Sequence, residues 1–216
     1  MTTSTRHGTT DASVMPEWHA RAACTGTDTE TFFDETPDAQ DLTQRVCRRC
    51  PVRTACLTDI VRWEADGYMR WGVVGGLTHL QRRALRCEKL LGNVPNLEQA
   101  RRLSSRVFAG FMATVLEWPA DMVASELRKH GVLASVVTVR VALWWSGGKG
   151  TVLRPREVGD RRFLWERVRD ECRTVVAELR EFGLGNRDIA AYLGVSEDAL
   201  GRAVHAWRRT GEGVAA

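Results

Sequence analysis

The stretch Cys47-Arg48-Arg49-Cys50-Pro51-Val52-Arg53-Thr54-Ala55-Cys56-Leu57 sets three cysteines around one helix boundary. A helix is expected from Asp41 to Cys50. Pro51 then fits the first turn of a second helix, where its missing N–H costs nothing, and that helix should end by Gly67. Val52, Cys56, Ile60 and Val61 fall along one face of it. Cys47 and Cys50 present both sulfurs from one helical face or cap. Cys24 lies before a polar loop expected over Thr25–Gln40, interrupted by Phe32-Phe33, and that loop has to carry it across. Four converging thiols suit a metal centre, either tetrahedral zinc or a [4Fe–4S] cluster.

Zinc sites favour two pairs of closely spaced ligands, because each pair forms a knuckle. Only one C-x-x-C pair exists here, flanked by gaps of 22 and 5 residues. A cluster with its iron corners spread apart tolerates that spacing better, while zinc stays open as the alternative. Arg21, Arg48, Arg49 and Arg53 lie close enough in sequence to offset the negative charge of a thiolate-bound cluster, helped by the helix N–H groups near Pro51. Trp18, Phe32 and Phe33 are placed to cover the centre, and simple core packing explains them equally. Cys87 and Cys172 have no cysteine neighbours and read as small buried hydrophobes.

The chain of 216 residues is 44% hydrophobic and 27% charged, which fits one or two globular domains. No run of 18 apolar residues suggests a membrane span. Met1 to Ser13 is polar with no apolar h-region, so residues 1–15 are expected to be a disordered tail rather than a secretory signal. A cytoplasmic location follows, where cysteine clusters usually bind metal or do redox work. Residues 1–80 hold 8 basic and 11 acidic side chains, a net of −3, and the remaining residues hold 23 and 16, a net of +7. An acidic front and a basic back suggest a partner-binding module joined to a polyanion-binding one, although solvated helix faces give the same count.

Beyond Thr78 the pattern is helical almost throughout. Helices are expected at Leu80–Leu91, Asn96–Glu117, Ala120–His130, Ser135–Trp145, Asp160–Phe182, Asn186–Leu193 and Ser196–Arg209, with a short one at Trp18–Cys24. Gly72-Val73-Val74-Gly75-Gly76 reads as a tight turn. Asn186 to Arg209 has the marks of a helix-turn-helix: Ala190 where the helices meet, Gly194 in the turn, and Ile189, Leu193, Val195 and Leu200 as anchors. Ser196 is a good N-cap. Arg202, His205, Arg208 and Arg209 are its candidate DNA contacts, suited to phosphates because the helix opens on the acidic Glu197 and Asp198. A weaker, winged arrangement spans Ala120 to Pro155, with Ser146–Pro155 as the wing and Arg140, Lys149, Arg154 and Arg156 towards a backbone. A packed helical hairpin with Trp144 and Trp145 in the core is its competitor.

The order W-x5-C (Trp18 to Cys24), Phe32-Phe33-Asp34, C-x-x-C-P-V-R-x-x-C-L (Cys47 to Leu57), then Gly72 to Thr78 with Arg82-Arg83, resembles the WhiB-like regulators of actinobacteria and their phages. The resemblance covers about residues 16–85. It implies a [4Fe–4S] cluster held by Cys24, Cys47, Cys50 and Cys56, and a regulator that binds the C-terminal domain of the principal sigma factor. The family turn carries a tryptophan where this chain has Val74, and Trp71 stands earlier. Trp71, Val74, Gly75 and Gly76 are therefore the candidate sigma contacts.

The expected fold is mainly α: a small helical iron–sulfur module at 16–85, a helical region with an expected winged unit at 86–160, and a helical region ending in a helix-turn-helix at 161–216. The expected function is non-enzymatic, redox-responsive transcription regulation with sigma factor and DNA as partners, no membrane and no small-molecule substrate. The alternatives are a metal-free protein disulfide reductase using Cys47 and Cys50, or a zinc-stabilised DNA-binding protein. No thioredoxin-like βαβ pattern surrounds the C-x-x-C pair, and no HExxH, GxxxxGK[ST] or GxSxG string occurs.

Overall fold

The computed structural model describes residues 16–64 and 71–211. The expected tail at 1–15 and the helix end at Gly67 lie outside the described residues. A short 3-10 helix, Glu17–Arg21, is followed by α1 (Glu30–Phe33), α2 (Pro37–Arg48), α3 (Arg53–Glu64), α4 (His79–Leu90), α5 (Leu97–Leu103) and α6 (Ala109–Val115). Then come α7 (Ala120–Lys129), α8 (Val136–Ser146), α9 (Leu164–Glu171), α10 (Arg173–Glu181), α11 (Asn186–Leu193) and α12 (Glu197–Arg209). The fold is all-α. Among the described residues the one β-type pairing is an isolated antiparallel bridge between Val74 and Leu77, and no helix is long and apolar enough to cross a membrane.

Local chemistry sets most helix ends. Thr78 accepts the Gln81 N–H while the Gln81 side chain accepts the Thr78 N–H, a reciprocal cap that starts α4. Ser135 and Ser196 cap α8 and α12 through their hydroxyls. Pro37 occupies the first turn of α2, which therefore starts before Asp41 and ends at Arg48 rather than Cys50. The expected loop at Thr25–Gln40 also contains α1.

Two expected long helices are each broken. Asn96–Glu117 divides into α5 and α6 at Ser104, whose hydroxyl bonds back to the Arg101 carbonyl and accepts a hydrogen bond from Arg53. Asp160–Phe182 divides into α9 and α10 at Cys172, which leaves helical geometry (φ −115°) to pack in a hydrophobic cluster.

Two such clusters make up the interior. The first joins Leu57, Leu77 and Leu85 to Leu103, Met112, Val123, Leu127, Leu143 and Trp145. The second joins Cys87 to Val168, Val176, Leu179, Ile189, Leu193, Leu200 and Trp207. Helix α4 serves both, with Ala84 and Leu85 in one and Cys87 in the other.

Helix α8 is buried from Val137 to Trp145. With every face of it buried, it cannot serve as an exposed recognition helix. This corrects the winged reading of 120–155. Arg140 is buried on α8, paired to Glu88 at 3.0 Å and donating to the carbonyls of Gly150 and Tyr192. Ser146–Pro155 forms no strand. Gly147, at φ 95°, ends α8, and the segment runs on to the Leu193 carbonyl, which accepts from the Val152 N–H and the Thr151 hydroxyl.

Arg82, 1% exposed, ties the chain around the glycine turn. Its Nε faces both Glu64 oxygens at 3.0 and 3.1 Å, and its other nitrogens donate to the carbonyls of Trp71, Gly72 and Leu77. Arg82→Ala removes the guanidinium from the buried Glu64 carboxylate and from the carbonyls of Trp71, Gly72 and Leu77. It should cost about 3–5 kcal/mol and lower the thermal midpoint by roughly 10 °C. Arg82→Lys, lacking the planar fork, should recover little of that in the same melting experiment.

Candidate metal centre

The four predicted cysteines come from four local settings. Cys47 is buried on the last turn of α2. Cys50 follows in the turn, its N–H donating to the Cys47 carbonyl at 3.1 Å. Cys56 stands on the second turn of α3, and Cys24 in the exposed turn after the 3-10 helix. The Ala23 N–H points at the Cys50 sulfur from 3.4 Å, which fastens the Cys24 turn to the C-x-x-C segment. All four line one cavity of about 590 Å³, with Trp18, Val46, Val52, Arg53, Ile60 and Gly75 among the other walls. None is in a disulfide. Among the described residues, no three His, Cys, Asp or Glu side chains are grouped tightly enough to hold a single ion. Four soft sulfurs thus border one space, a donor set that suits either a zinc ion or an iron–sulfur cluster.

The glycine turn closes this space. The Gly76 N–H faces the Cys47 sulfur and the Gly75 N–H the Cys56 sulfur. Both glycines have positive φ, 60° and 76°. A Cβ on Gly75 would lie 2.7 Å from the Leu57 Cβ, so no side chain fits there. Burial pushes the Cys47 thiol up to about 12 and the Cys56 thiol up to about 11, against the pull of those two N–H groups. A cationic centre is what makes thiolates of such groups.

Of the four nearby arginines, only Arg53 is buried, at 5% exposure. Its guanidinium carbon stands 4.0 Å from the centroid of the Trp145 ring, and its Nη2 donates to the Ser104 hydroxyl at 3.0 Å. Its Nε is buried without a hydrogen-bond partner. Burial pulls this arginine down to about 10, while Cys47 and Cys50 act the other way. Trp145 in turn donates its indole N–H to the Gly75 carbonyl at 2.9 Å. The sequence offered Trp145 in the core as one of two readings and gave no sign of this link, which crosses 70 positions and leaves no local pattern.

Trp18 lines the cavity as expected, but Phe32 and Phe33 do not. They brace the turn instead: the Phe32 carbonyl accepts the Val73 N–H at 2.8 Å, and Phe33 lies against Gly72. Of the expected partner contacts, Trp71 is 55% exposed and Val74 partly exposed. Gly75 and Gly76 are buried against Leu57, Trp145 and Arg53, which removes them from any outer contact surface. Cys87 and Cys172 are buried in the second cluster, away from the cavity.

A larger groove of about 740 Å³ follows a different face of α3, lined by Leu57, Val61, Leu85 and Val94 among others, and holds no cysteine or histidine. At the far end of the chain, α11 and α12 meet at Gly194 (φ 72°). Arg202, His205, Arg208 and Arg209 are all exposed on α12, whose other face buries Leu200, Ala203, Val204 and Trp207. Arg202 is paired with Asp198 at 3.1 Å.

Comparison with known proteins places these observations in a family. The family model described as Transcription factor WhiB matches residues 18–85. The chain is 37% identical over 71 residues to Transcriptional regulator WhiB2 of Bifidobacterium longum, across 33% of this chain and 68% of that protein. It is 36% identical over 76 residues to Transcriptional regulator WhiB of Streptomyces coelicolor, across 35% of this chain and 83% of that protein. Against Transcriptional regulator WhiB4 of Mycobacterium tuberculosis the figures are 37% over 75 residues, 35% and 59%. No solved structure matches significantly. With the cysteine cavity and the glycine turn both inside the matched stretch, the chain belongs to the WhiB family of transcriptional regulators.

Proposed function

We propose that this regulator holds a [4Fe–4S] cluster on Cys24, Cys47, Cys50 and Cys56, and that the cluster governs its contacts with a sigma factor and with DNA. The observation that carries this reading is the single cavity lined by all four sulfurs, with two glycine N–H groups facing two of them. Such N–H···S bonds are a usual means of tuning an iron–sulfur centre, whose role when bound is to exchange an electron or be lost to oxidants. The chain supplies the rest: Trp18 limits solvent access, Arg53 offsets negative charge, and the glycine turn orients the ligands. A cytoplasmic setting keeps the four thiols reduced and competent to bind.

The reductase reading fares worse. A thiol pushed up to about 12 by burial, as Cys47 is, makes a poor nucleophile. A single zinc ion would need ligands drawn tightly around one point.

The protein partner proposed from the family resemblance is the C-terminal domain of the principal sigma factor. Trp71 and Phe33, 55% and 52% exposed on either side of Gly72, are apolar surface available to it. DNA is proposed to meet the outer face of the α11–α12 pair, read as a helix-turn-helix. The first turn of α12 is acidic and Arg202 is paired, so the free cations Arg208 and Arg209 are suited to phosphates more than to base edges.

Anaerobic purification should yield a brown protein with about four irons per chain and absorption near ~400 nm. Replacing any one of the four cavity cysteines with serine should remove that chromophore, whereas Cys87→Ala and Cys172→Ala should keep it. A colourless protein with one zinc would overturn the reading. Separately, the double variant Arg208→Glu, Arg209→Glu should weaken DNA binding and flatten the log–log salt slope by about two. Unchanged affinity would make α12 a protein-contact helix.

A further inference from the structure

Helices α5 and α8 pack behind the wall of the cysteine cavity that Arg53 and Gly75 form. Arg53, a wall of that cavity, stacks on Trp145 of α8 and donates to Ser104 at the end of α5. Its Nε is buried with no acceptor, an open position in an otherwise tied guanidinium. Trp145 has a second tie, to the Gly75 carbonyl, and the Gly75 N–H goes to the Cys56 sulfur. Both ties of Trp145 therefore lead in one step to the cysteine site. The fit is close: a Cβ on Gly76 would lie 3.1 Å from the Trp145 ring and 3.3 Å from the Arg53 Cδ. From Trp145, α8 runs back to Arg140, which pairs with Glu88 on α4 and donates to the Tyr192 carbonyl on α11.

We propose that Arg53 is the residue through which the C-terminal helices sense the cluster: it balances the cluster's charge and, by stacking on Trp145, seats α8 while the cluster is bound. This rests on the cluster reading given above. A [4Fe–4S]2+ core with four thiolates carries a net charge of roughly −2, held in a partly dry site where a fixed cation matters. With the cluster present, the charge of Arg53, a wall of the cavity, lies beside its counter-charge. When the cluster leaves, that charge leaves with it. Arg53 then keeps one neutral hydrogen bond and an aromatic face, too little to hold an otherwise uncompensated cation in a buried place. It turns out towards water, the stack on Trp145 is lost, and the loosening reaches α11 through Arg140. Arg53 is a positioning residue here, acting on the DNA-facing helices through Trp145.

The test is hydrogen–deuterium exchange by mass spectrometry on the anaerobically prepared full chain, before and after the cluster is removed by chelation. Peptides covering α8 and the Ser104 turn should exchange at least about tenfold faster after removal. Arg53→Met should give fast exchange in α8 even with the cluster bound, and a more negative cluster reduction potential. Arg53→Lys should restore the potential by restoring the charge. If Arg53→Met fails to assemble a cluster, the before-and-after comparison on the wild-type chain still decides. A four-iron wild-type protein whose α8 exchanges equally fast in both states overturns the sensing role and leaves the cluster reading intact. A wild-type protein that takes up no iron overturns both.

Discussion

Two consecutive glycines, Gly75 and Gly76, carry the constraint on which the arrangement depends. Their left-handed backbone turns two amide N–H groups towards the sulfurs of Cys56 and Cys47 and sets one of their carbonyls against the indole of Trp145. The turn also lies flat on Leu57, with no room for a Cβ. An L-residue here would meet both a strained φ and a steric wall. The turn thus faces the cysteine cavity on one side and the α8 core on the other, and Arg82 fixes its approach by holding the carbonyls of residues 71, 72 and 77.

Around this turn, apolar burial and buried charge do different work. Each fully buried leucine, valine or aromatic side chain contributes about 1.5–3 kcal/mol, and the cluster from Leu57 to Trp145 contains many. The ion pairs Arg82–Glu64 and Arg140–Glu88 lie in the same interior. Desolvation cancels most of what such pairs gain, so their contribution is to select an arrangement more than to stabilise it. Arg82 registers the glycine turn against α3, and Arg140 registers α8 against α4 and α11. Arg53 differs in having no acidic side chain among its hydrogen-bond partners, which is why the cavity beside it matters.

Much of the fold could be read from local chemistry. The caps at Thr78, Ser135 and Ser196 and the turn at Gly194 mark helix ends by interactions within four residues, and those ends fall within a residue of expectation. Cys47, Cys50 and Cys56 were legible for the same reason, since their spacing across a proline-marked boundary restricts where the sulfurs can go, whereas Cys24 lies beyond a loop and was joined to them by the family resemblance. What was not legible depends on partners distant in sequence. The break at Ser104 coincides with a hydrogen bond from Arg53, 51 positions away. Arg140 looks like a DNA-facing cation in a list of basic residues, and only Glu88, 52 positions earlier, makes it an interior one. Phe33 looks like a shield for the centre, yet the carbonyl beside it, on Phe32, is used to hold Val73. Periodicity reports that a face is buried and is silent on what covers it.

The family match ends at residue 85, but the hydrophobic core does not. Leu57, Leu77 and Leu85 share one cluster with Leu103, Leu127, Leu143 and Trp145, so the helices beyond the match bury the inner surface of the matched part. Helix α4 then passes from that cluster into the second, placing Cys87 and the Arg83–Asp188 pair against α11. A path of packed side chains and hydrogen bonds therefore runs from the cysteine cavity, through the turn and α8 or through α4, to α11, which packs on α12. Two packed paths to one helix pair leave little freedom for it to rotate independently. On the proposed reading, a change at the cysteines would reach the α11–α12 pair as a shift in packing, which interiors at crystal-like density accommodate in steps rather than by gradual deformation.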